Sequence, residues 1–497
     1  MSLEIKRRAA AYDQAKRKGV RSNNADEALF WFHVAASIAW RYPFDRWSDP
    51  EIDEALIKLA SALGAGNERI HPDPSKLIHL TSHLGDGGGH VEAIRLWCEQ
   101  VGGDVISSEW ESSKQTLPKD LSGLHQRFYF CPPHLGPSQK VNWLFQQLRE
   151  LRPAKIVLHV YPNDVASLTA SLMYRNVSAA EISVYDHVDS VYWLGSTVVD
   201  HVIEFRPVGA VIARDLRAVA PSRISLAPLT SRTRNSPEVT RNSLGIPSAA
   251  TVSLTVAAYY KMTPDGHWDY ARTINRLLDA NLEHYHIIVG HGSPAAEKLL
   301  RKQLKSDRVL LLGTRTDIDA LVRASDFVIE SFPLMGGLFR LDTMREGKPL
   351  VAIVHPKWPE IFDTGVFPDG YPLVAKSNEE VESFSESIIK SADLRDELGR
   401  CLKNHYERNF SETAVKRAME AALLGRLFEI PEWPLVYDAE WFSRMLNPNR
   451  CDSQSIINWV ATCLSYAPPA NFSERFSYWK RYLTAALQNR LRVGSLE

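Results

Sequence analysis

Short apolar runs that end in Gly, Asn or Asp and lead into helical patterns recur through most of this chain, and that rhythm narrows the folds open to it more than any other feature. KLIHLTSH, from Lys76, runs into VEAIRLWCEQ; KIVLHVYPND runs into VASLTASLMYR; EISVYDH precedes a Trp-Leu-Gly turn and the strand-like HVIEFR. Parallel neighbours cannot be joined by a tight hairpin, so a helix between successive apolar runs predicts βαβ units on a parallel sheet. A second series begins at TVSLTVAAY and continues through HYHIIVG, RVLLLG, DIDALVRA, DFVIES, a glycine turn, LDTMREG and PLVAIV, then into helices. Between the two series lies SRTRNSPEVTRNSLGIPSAA, polar, rich in Pro, Ser and Asn and without periodicity, which predicts an interdomain linker.

At 497 residues the chain exceeds one ordinary core, in keeping with two α/β series. The expected division is an α-helical region over 1–70, a first Rossmann-like lobe over 71–235, a second over 236–425, and a helical tail over 426–497 that packs back on the first lobe. The helical region rests on ADEALFWFHVAASIAW and EIDEALIKLASAL, split by the breaker YPFDRWSDP, and the tail is rich in Trp, Tyr and Phe. No second copy of the helical patterns recurs at a fixed period, which argues against a solenoid.

Lys and Arg total 58 against 59 Asp and Glu, a net charge of −1 with no basic tract, which excludes the electrostatic footprint of a nucleic-acid binder. No apolar run reaches the roughly eighteen residues that a membrane span requires, and the opening MSLEIKRRAAAYDQAKRK is charged and helical without the apolar centre of a secretory signal. A cytoplasmic location is expected, with peripheral membrane contact left open. The five cysteines are widely spread and lack Cys-x-x-Cys spacing, so they read as reduced thiols and not as a disulfide framework or a zinc site.

The segment 325–351, SDFVIESFPLMGGLFRLDTMREGKPLV, carries the most chemistry. An apolar strand ends at Glu330, a loop brings in Gly336 and Gly337, and a helix begins near Leu338 and Phe339 with Asp342 one turn or so inside it. Glycines let backbone N–H groups approach a phosphate, and a helix N-terminus presents partial positive charge to it. A carboxylate one turn into that helix suits the two hydroxyls of a ribose. An ordinary strand-turn-helix with a helix-stabilising Asp accounts for the same residues.

This segment resembles the C-terminal lobe of glycosyltransferase family 41, the O-linked N-acetylglucosamine transferases and adhesin-type N-glycosyltransferases. Glu330, Pro333, Gly336, Gly337 and Asp342 keep the family's spacing, and GKPLV matches the Gly-x-Pro-x-Val that closes its motif. Upstream, TVSLTVAAYYKMTPDGHWDYARTINRLL is similar to the family's strand, Tyr-Lys-x-x-Pro turn and Trp-containing helix, and the likeness runs on through VLLLGTRTDIDALVRASD, with Gly313, to helices ending near Ala422. The resemblance implies a GT-B fold of two Rossmann-like lobes with a cleft between them, a UDP-sugar donor and no cofactor. It implies donor contacts from Lys261, Gly313, Gly336, Gly337, Leu338, Phe339 and Asp342. Lys261 would offset the charge building on the leaving diphosphate. Two positions depart from the pattern: Gly337-Leu338-Phe339 stands where the family places polar residues, and Ala258 replaces a polar side chain.

Retaining GT-B enzymes of family 4 need two glutamates in this turn; with Asp342 as the second, the first falls at Leu334, so inversion is expected. An inverting transfer requires a general base for the acceptor. The loop HLTSHLGDGGGH after the first strand supplies His90 and, as a substitute, Asp86. His187, ending EISVYDH, and His355 with Trp358, after PLVAIV, are candidate sugar or acceptor contacts. Each of these also reads as an ordinary polar or packing residue. Asp317-Ile318-Asp319 has the Asp-x-Asp spacing of a divalent-metal site, but it opens a helical stretch and helix capping explains it, so no metal is expected.

The reading that joins these features is an inverting hexosyl- or N-acetylhexosaminyltransferase moving sugar from a UDP-sugar to a protein or glycan acceptor. Its rivals are a UDP-sugar epimerase of the same fold and a non-enzymatic glycan-binding protein.

Overall fold

The computed structural model describes residues 3–64, 69–85, 89–109, 117–233, 236–357 and 365–433, together with 435 and 438. Asp86, Trp358 and most of the aromatic tail lie outside the described residues.

Helices α1 (Leu3–Arg21), α2 (Ala25–Arg41) and α3 (Pro50–Ala62) open the chain. Asn24 accepts from the Glu27 N–H at the start of α2, and Asp49 accepts from the Glu51 and Ile52 N–H groups at the start of α3, where Pro50 has no N–H to satisfy. The first sheet comprises β1 (Asp73–Thr81), β2 (Asp104–Ser107), β3 (Phe128–Phe130), β4 (Pro153–His159), β5 (Glu181–Asp186), β6 (His201–Glu204) and β7 (Ile224–Leu226). All its pairings are parallel, in the order β3-β2-β1-β4-β5-β6-β7. Its connections include α4 (Gly89–Val101), α5 (Pro137–Leu151), α6 (Val165–Val177) and α7 (Pro207–Asp215).

The second sheet is also parallel, in the order β10-β9-β8-β11-β12-β13, from β8 (Thr251–Val256), β9 (His284–Val289), β10 (Val309–Leu311), β11 (Phe327–Ile329), β12 (Leu350–Ile353) and β13 (Val374–Ala375). Helices α8 (Tyr270–Ala280), α9 (Pro294–Gln303), α10 (Ile318–Ala324) and α11 (Phe339–Arg345) connect its strands, and α12 (Asn378–Lys390), α13 (Ala392–Asn409) and α14 (Glu412–Leu423) follow them. The α/β series expected on either side of the polar stretch are thus two parallel sheets. The short strands β2, β3, β7 and β13 were not anticipated.

The opening helices share one apolar core with the first sheet: Trp31, Phe32, Ile52 and Leu56 pack with Ile156, Leu158 and Leu172. Asp53 fastens α3 to the turn after β5, accepting from the N–H groups of Gly195 and Thr197 and from the Thr197 hydroxyl. Gly195 has φ of 85°, and a Cβ there would lie 2.6 Å from Leu168. At the far end, α14 lies on α4 and β7, and Lys416 Nζ donates to the Gln100 carbonyl at 2.6 Å. The chain then runs along the first lobe, where Phe428 N–H donates to the Ile224 carbonyl and the Ser225 hydroxyl to that of Arg426. Among the described residues no helix is long and apolar enough to cross a membrane.

Both sheets carry buried histidines on their strands. His79 bonds His159 at 3.0 Å and the Gly102 carbonyl at 2.7 Å; His284 and His286 share the Ser253 hydroxyl, and His286 also meets the Tyr270 hydroxyl at 2.7 Å. Burial lowers His79 and His284 to about 4 and His286 to about 3. A histidine whose folded pKa is depressed stabilises above its unfolded value near 6.5 and loses that contribution as pH falls. The raised carboxyls Asp53 and Asp186, each about 6, act in the opposite sense over part of that range. Replacing one histidine isolates its share: the stability lost between pH 7.5 and 5.5, measured by urea unfolding, should be smaller in His286→Gln than in wild type by on the order of 1 kcal/mol.

Candidate active site

Strands β8 and β11 are hydrogen-bonded neighbours, so the turns that leave their carboxyl ends lie side by side. After β8 the chain makes a single 3₁₀ turn, Tyr259–Met262, and after β11 it makes the glycine turn. The two are stapled together: the Leu334 N–H donates to the Lys261 carbonyl at 3.2 Å, and Lys261 Nζ donates to the Met335 carbonyl at 2.9 Å. Burial lowers the Lys261 pKa, partly offset by the Glu330 carboxylate. Gly337 is exposed, and Gly336, Leu338 and Phe339 are partly so; a Cβ on Gly337 would meet nothing within 4 Å. This turn therefore offers open backbone beside a half-buried ammonium group.

Behind it sits a buried ion pair. Arg340 Nε and Nη2 donate to the two oxygens of Glu330 at 2.5 and 2.8 Å, Glu330 also accepts from the Ile353 N–H, and the Arg340 guanidinium lies 5.2 Å from the Phe367 ring centre. Glu330 thus anchors α11 to the end of β11. The turn after β9 completes the floor: the Tyr259 N–H donates to the His291 carbonyl, the Gly290 N–H donates to the Gly313 carbonyl at 2.9 Å, and a Cβ on Gly290 would lie 1.8 Å from the Ala257 carbonyl oxygen. Only glycine fits there. The Gly-His-Gly at the end of HYHIIVGHG was the sequence signal for this contact, and it was missed.

In the first lobe, the loop after β1 and the start of α4 place His90 among aromatic rings. His90 Nε2 lies 2.8 Å from the Thr81 hydroxyl and Nδ1 lies 3.0 Å from His187 Nε2, while His187 Nδ1 reaches the Tyr185 carbonyl at 3.4 Å. A carbonyl only accepts, so the consistent proton order runs from His187 Nδ1–H to that carbonyl, from His90 Nδ1–H to His187, and from the Thr81 hydroxyl to His90 Nε2. Both imidazoles keep part of their surface exposed. Burial, then the neighbouring His187 and His83, pushes the His90 pKa well down, and burial lowers His187 to about 4. His187, expected as a sugar contact, thus bonds directly to His90. A methyl group placed on Gly89 would lie 3.9 Å from Leu338 Cδ1, so the His90 loop and the glycine turn of the other lobe meet.

Three expectations need correction or refinement. His355 is 1% exposed, accepts the Lys357 N–H on Nδ1 and bonds Asp265 through Nε2 at 2.6 Å, so it braces two loops. Asp317 and Asp319 do not cap α10 through side-chain bonds: Asp317 pairs with Arg315, and buried Asp319 pairs with Arg345 at 2.9 Å. Asp342 is buried in α11 and accepts the hydroxyl of Ser231, at the start of the linker, which in turn accepts from Arg345 at 2.6 Å. Tyr406 of α13 bonds the Thr230 hydroxyl and the Ser231 carbonyl, so the linker is clamped against the second lobe. Among the described residues no group of three or more His, Cys, Asp or Glu side chains converges as a metal site.

No protein-family model matches the chain, and no curated protein matches it by sequence. Solved structures do match. HepE of Anabaena in complex with UDP aligns with a TM-score of 0.53 at 15% identity, over 70% of this chain and 99% of HepE. A glycosyltransferase from Rickettsia africae gives 0.54 at 14% identity over 70% and 99%, and the lipopolysaccharide outer core galactosyltransferase WaaB gives 0.50 at 13% over 71% and 100%. The likeness is one of fold: the two parallel sheets are the lobes of a GT-B fold.

The Glu330–Arg340 pair makes its own prediction about the turn it supports. Arg340→Met leaves a buried carboxylate without its counter-charge and should lower unfolding free energy by about 3–5 kcal/mol. Adding Glu330→Gln, which keeps an acceptor for the Ile353 N–H, should recover more than half of that loss in the same urea titration.

Proposed function

We propose that this protein is a UDP-sugar-dependent glycosyltransferase that inverts the anomeric centre, with the donor on the second lobe and the acceptor on the first. The approach of the His90 loop to the Leu338 turn carries the reading, because it sets a neutral imidazole opposite open glycine backbone and a half-buried ammonium group. HepE, which shares the fold, has been captured with UDP and with UDP-glucose. The finer likeness to family 41 rests on Lys261 and on the spacing from Glu330 to Asp342.

In this proposal the diphosphate lies against the backbone of Gly336 and Gly337 and near Lys261, with Gly313 in the neighbouring loop. Leu338 and Phe339 contribute backbone and apolar surface in place of polar contacts. Asp342 takes the ribose hydroxyls by exchanging its bond to Ser231 for them. The acceptor hydroxyl gives its proton to His90 Nε2, its oxygen attacks the anomeric carbon, and the bond from that carbon to the diphosphate oxygen breaks with its electron pair leaving on UDP. Thr81 has a second acceptor, the His83 carbonyl at 3.3 Å, to which its hydroxyl turns as His90 Nε2 is released. Leu334, at the position of a retaining enzyme's first glutamate, is apolar and 6% exposed, which favours inversion. The reaction is proposed to need no metal, since Arg315 and Arg345 already occupy the Asp-x-Asp carboxylates.

His90→Ala should lower transfer by about 10²–10⁴-fold while leaving UDP affinity unchanged by calorimetry. Protonation disables a base, and this histidine protonates below its ordinary value of about 6.5, so the acid limb of the wild-type rate profile should fall below that pH. A fully active His90→Ala beside an inactive Asp86→Asn would move the role to Asp86. Formation of an epimer from UDP-sugar alone, without acceptor, would reject transfer. Lys261→Ala should slow turnover more than it weakens UDP binding, because the charge it meets grows towards the transition state, whereas EDTA should leave turnover unchanged. A strict requirement for added Mg²⁺ or Mn²⁺ would overturn the metal-free assignment.

A further inference from the structure

Around His90 the first lobe presents a wall of rings drawn from four separate segments. Tyr161, in the loop after β4, lies 5.2 Å from the His90 ring centre and 5.1 Å from that of His83, and Trp40, in the last turn of α2, lies 5.4 Å from Tyr161. His187 continues the wall on the other side, 4.6 Å from His90. Tyr161 is fixed in place by its own N–H, which donates to the Ser82 hydroxyl at 2.7 Å, and the Arg41 guanidinium lies 5.0 Å from the Trp40 ring centre.

These rings differ from the aromatic residues of the core beneath them. Trp97, Trp193 and Tyr185 are at most 1% exposed, whereas Trp40, Tyr161, His83, His90 and His187 each keep part of their surface accessible. Opening helix α2 is held over this edge by more than apolar contact: His33 Nδ1 bonds the Asn163 carbonyl at 3.1 Å and Asn163 donates to the Ser37 hydroxyl at 2.8 Å, both in the Tyr161 loop. Helix α2 is therefore tied to the loop that carries Tyr161, and Trp40 comes with it.

We propose that Trp40 and Tyr161 form a stacking platform for the acceptor, and that the acceptor is a saccharide or glycoside and not a polypeptide. The inference rests on the transferase reading above and adds the acceptor's class. A sugar ring presents C–H groups on its faces and hydroxyls at its rim, which suits ring faces flanked by imidazole nitrogens and a guanidinium. An extended peptide is recognised chiefly through backbone hydrogen bonds along a strand edge, whereas this site sits at strand ends in the middle of the sheet, on loops after β1, β4 and β5. A hydroxyl of a sugar resting on Tyr161 lies beside His90, the group proposed to take its proton.

The test uses the full chain, UDP, UDP-sugars, and an array of p-nitrophenyl glycosides of glucose, galactose, mannose and N-acetylglucosamine, with Ser-, Thr- and Asn-containing peptides as the contrasting acceptors. Wild type should glycosylate at least one glycoside and none of the peptides. Trp40→Ala and Tyr161→Ala should each raise KM for that glycoside about tenfold or more while UDP affinity stays within about twofold, and Trp40→Phe should restore most of the loss. Trp40 is the safer variant, since it stands at a helix end. Transfer to peptides alone, or glycoside kinetics unmoved in folded Trp40→Ala and Tyr161→Ala, overturns the platform while leaving the donor reading intact. Calorimetry with glycoside alone separates the two readings: a wild type that binds glycoside through Trp40 and Tyr161 but binds no UDP keeps the platform and loses the transferase assignment, and one that binds neither loses both.

Discussion

Every strand in both sheets runs parallel to its neighbours, so every strand leaves its sheet at the same edge. The chemistry of the molecule follows from that constraint. Loops after β1, β4 and β5 bring His83, His90, Tyr161 and His187 within ring contact although they are spread over about a hundred positions of sequence. Loops after β8, β9 and β11 bring Lys261, Gly290 and the glycine turn together in the same way. The helices that parallel pairing demands cover the faces of the sheets, so polar groups on the strands must satisfy one another inside; His79 with His159, and Ser253 with His284 and His286, do so.

The lobes are joined by more than the linker peptide. Ser231 sits between Asp342 and Arg345 of α11, and Tyr406 holds the carbonyl of the same residue. On the other side of the chain, α14 returns to α4 and the following residues lie along β7. A carboxylate that the ribose proposal assigns to the donor is therefore already bonded to the linker. Under that proposal donor binding and the position of the linker would be coupled through that one oxygen, because the Ser231 hydroxyl and a ribose hydroxyl would compete for it.

Rhythm in the sequence was enough to read the two α/β series, since a strand of six residues followed by a helix of a dozen leaves a clear change of period. Strands such as Phe128–Phe130 and Ile224–Leu226 left none, because their place is set by the strand they pair with. A turn was legible where a local feature marks it, as Gly336 and Gly337 mark the one between β11 and α11. Where the deciding partner is remote, the sequence was silent. His90 and His355 look alike as histidines following apolar strands, and what separates them is Asp265, ninety positions before His355, which takes its Nε2 and closes it off. Ser231 and Asp342 are 111 positions apart, and no local pattern announces their bond. Glycines show the same limit: Gly290 is compulsory because the Ala257 carbonyl occupies the space of a side chain, whereas Gly337 faces open space, and both appear in sequence as glycine after a strand.

Desolvation links the two halves of the proposed reaction. Leu338 and Phe339 stand where the family pattern has polar side chains, and Leu338 lies against Gly89 at the point where the lobes approach. An apolar lining admits less water, and a charge in a poorly hydrated site interacts more strongly with another charge brought to it. Lys261 is the cation so placed, because Arg340 is committed to Glu330 and Arg345 to Asp319. The same poor hydration, with two neighbouring imidazoles, keeps His90 unprotonated. In the proposed reaction the same burial acts on both groups: it disfavours the charged form of Lys261, which the Glu330 carboxylate partly restores, and it holds the His90 imidazole neutral.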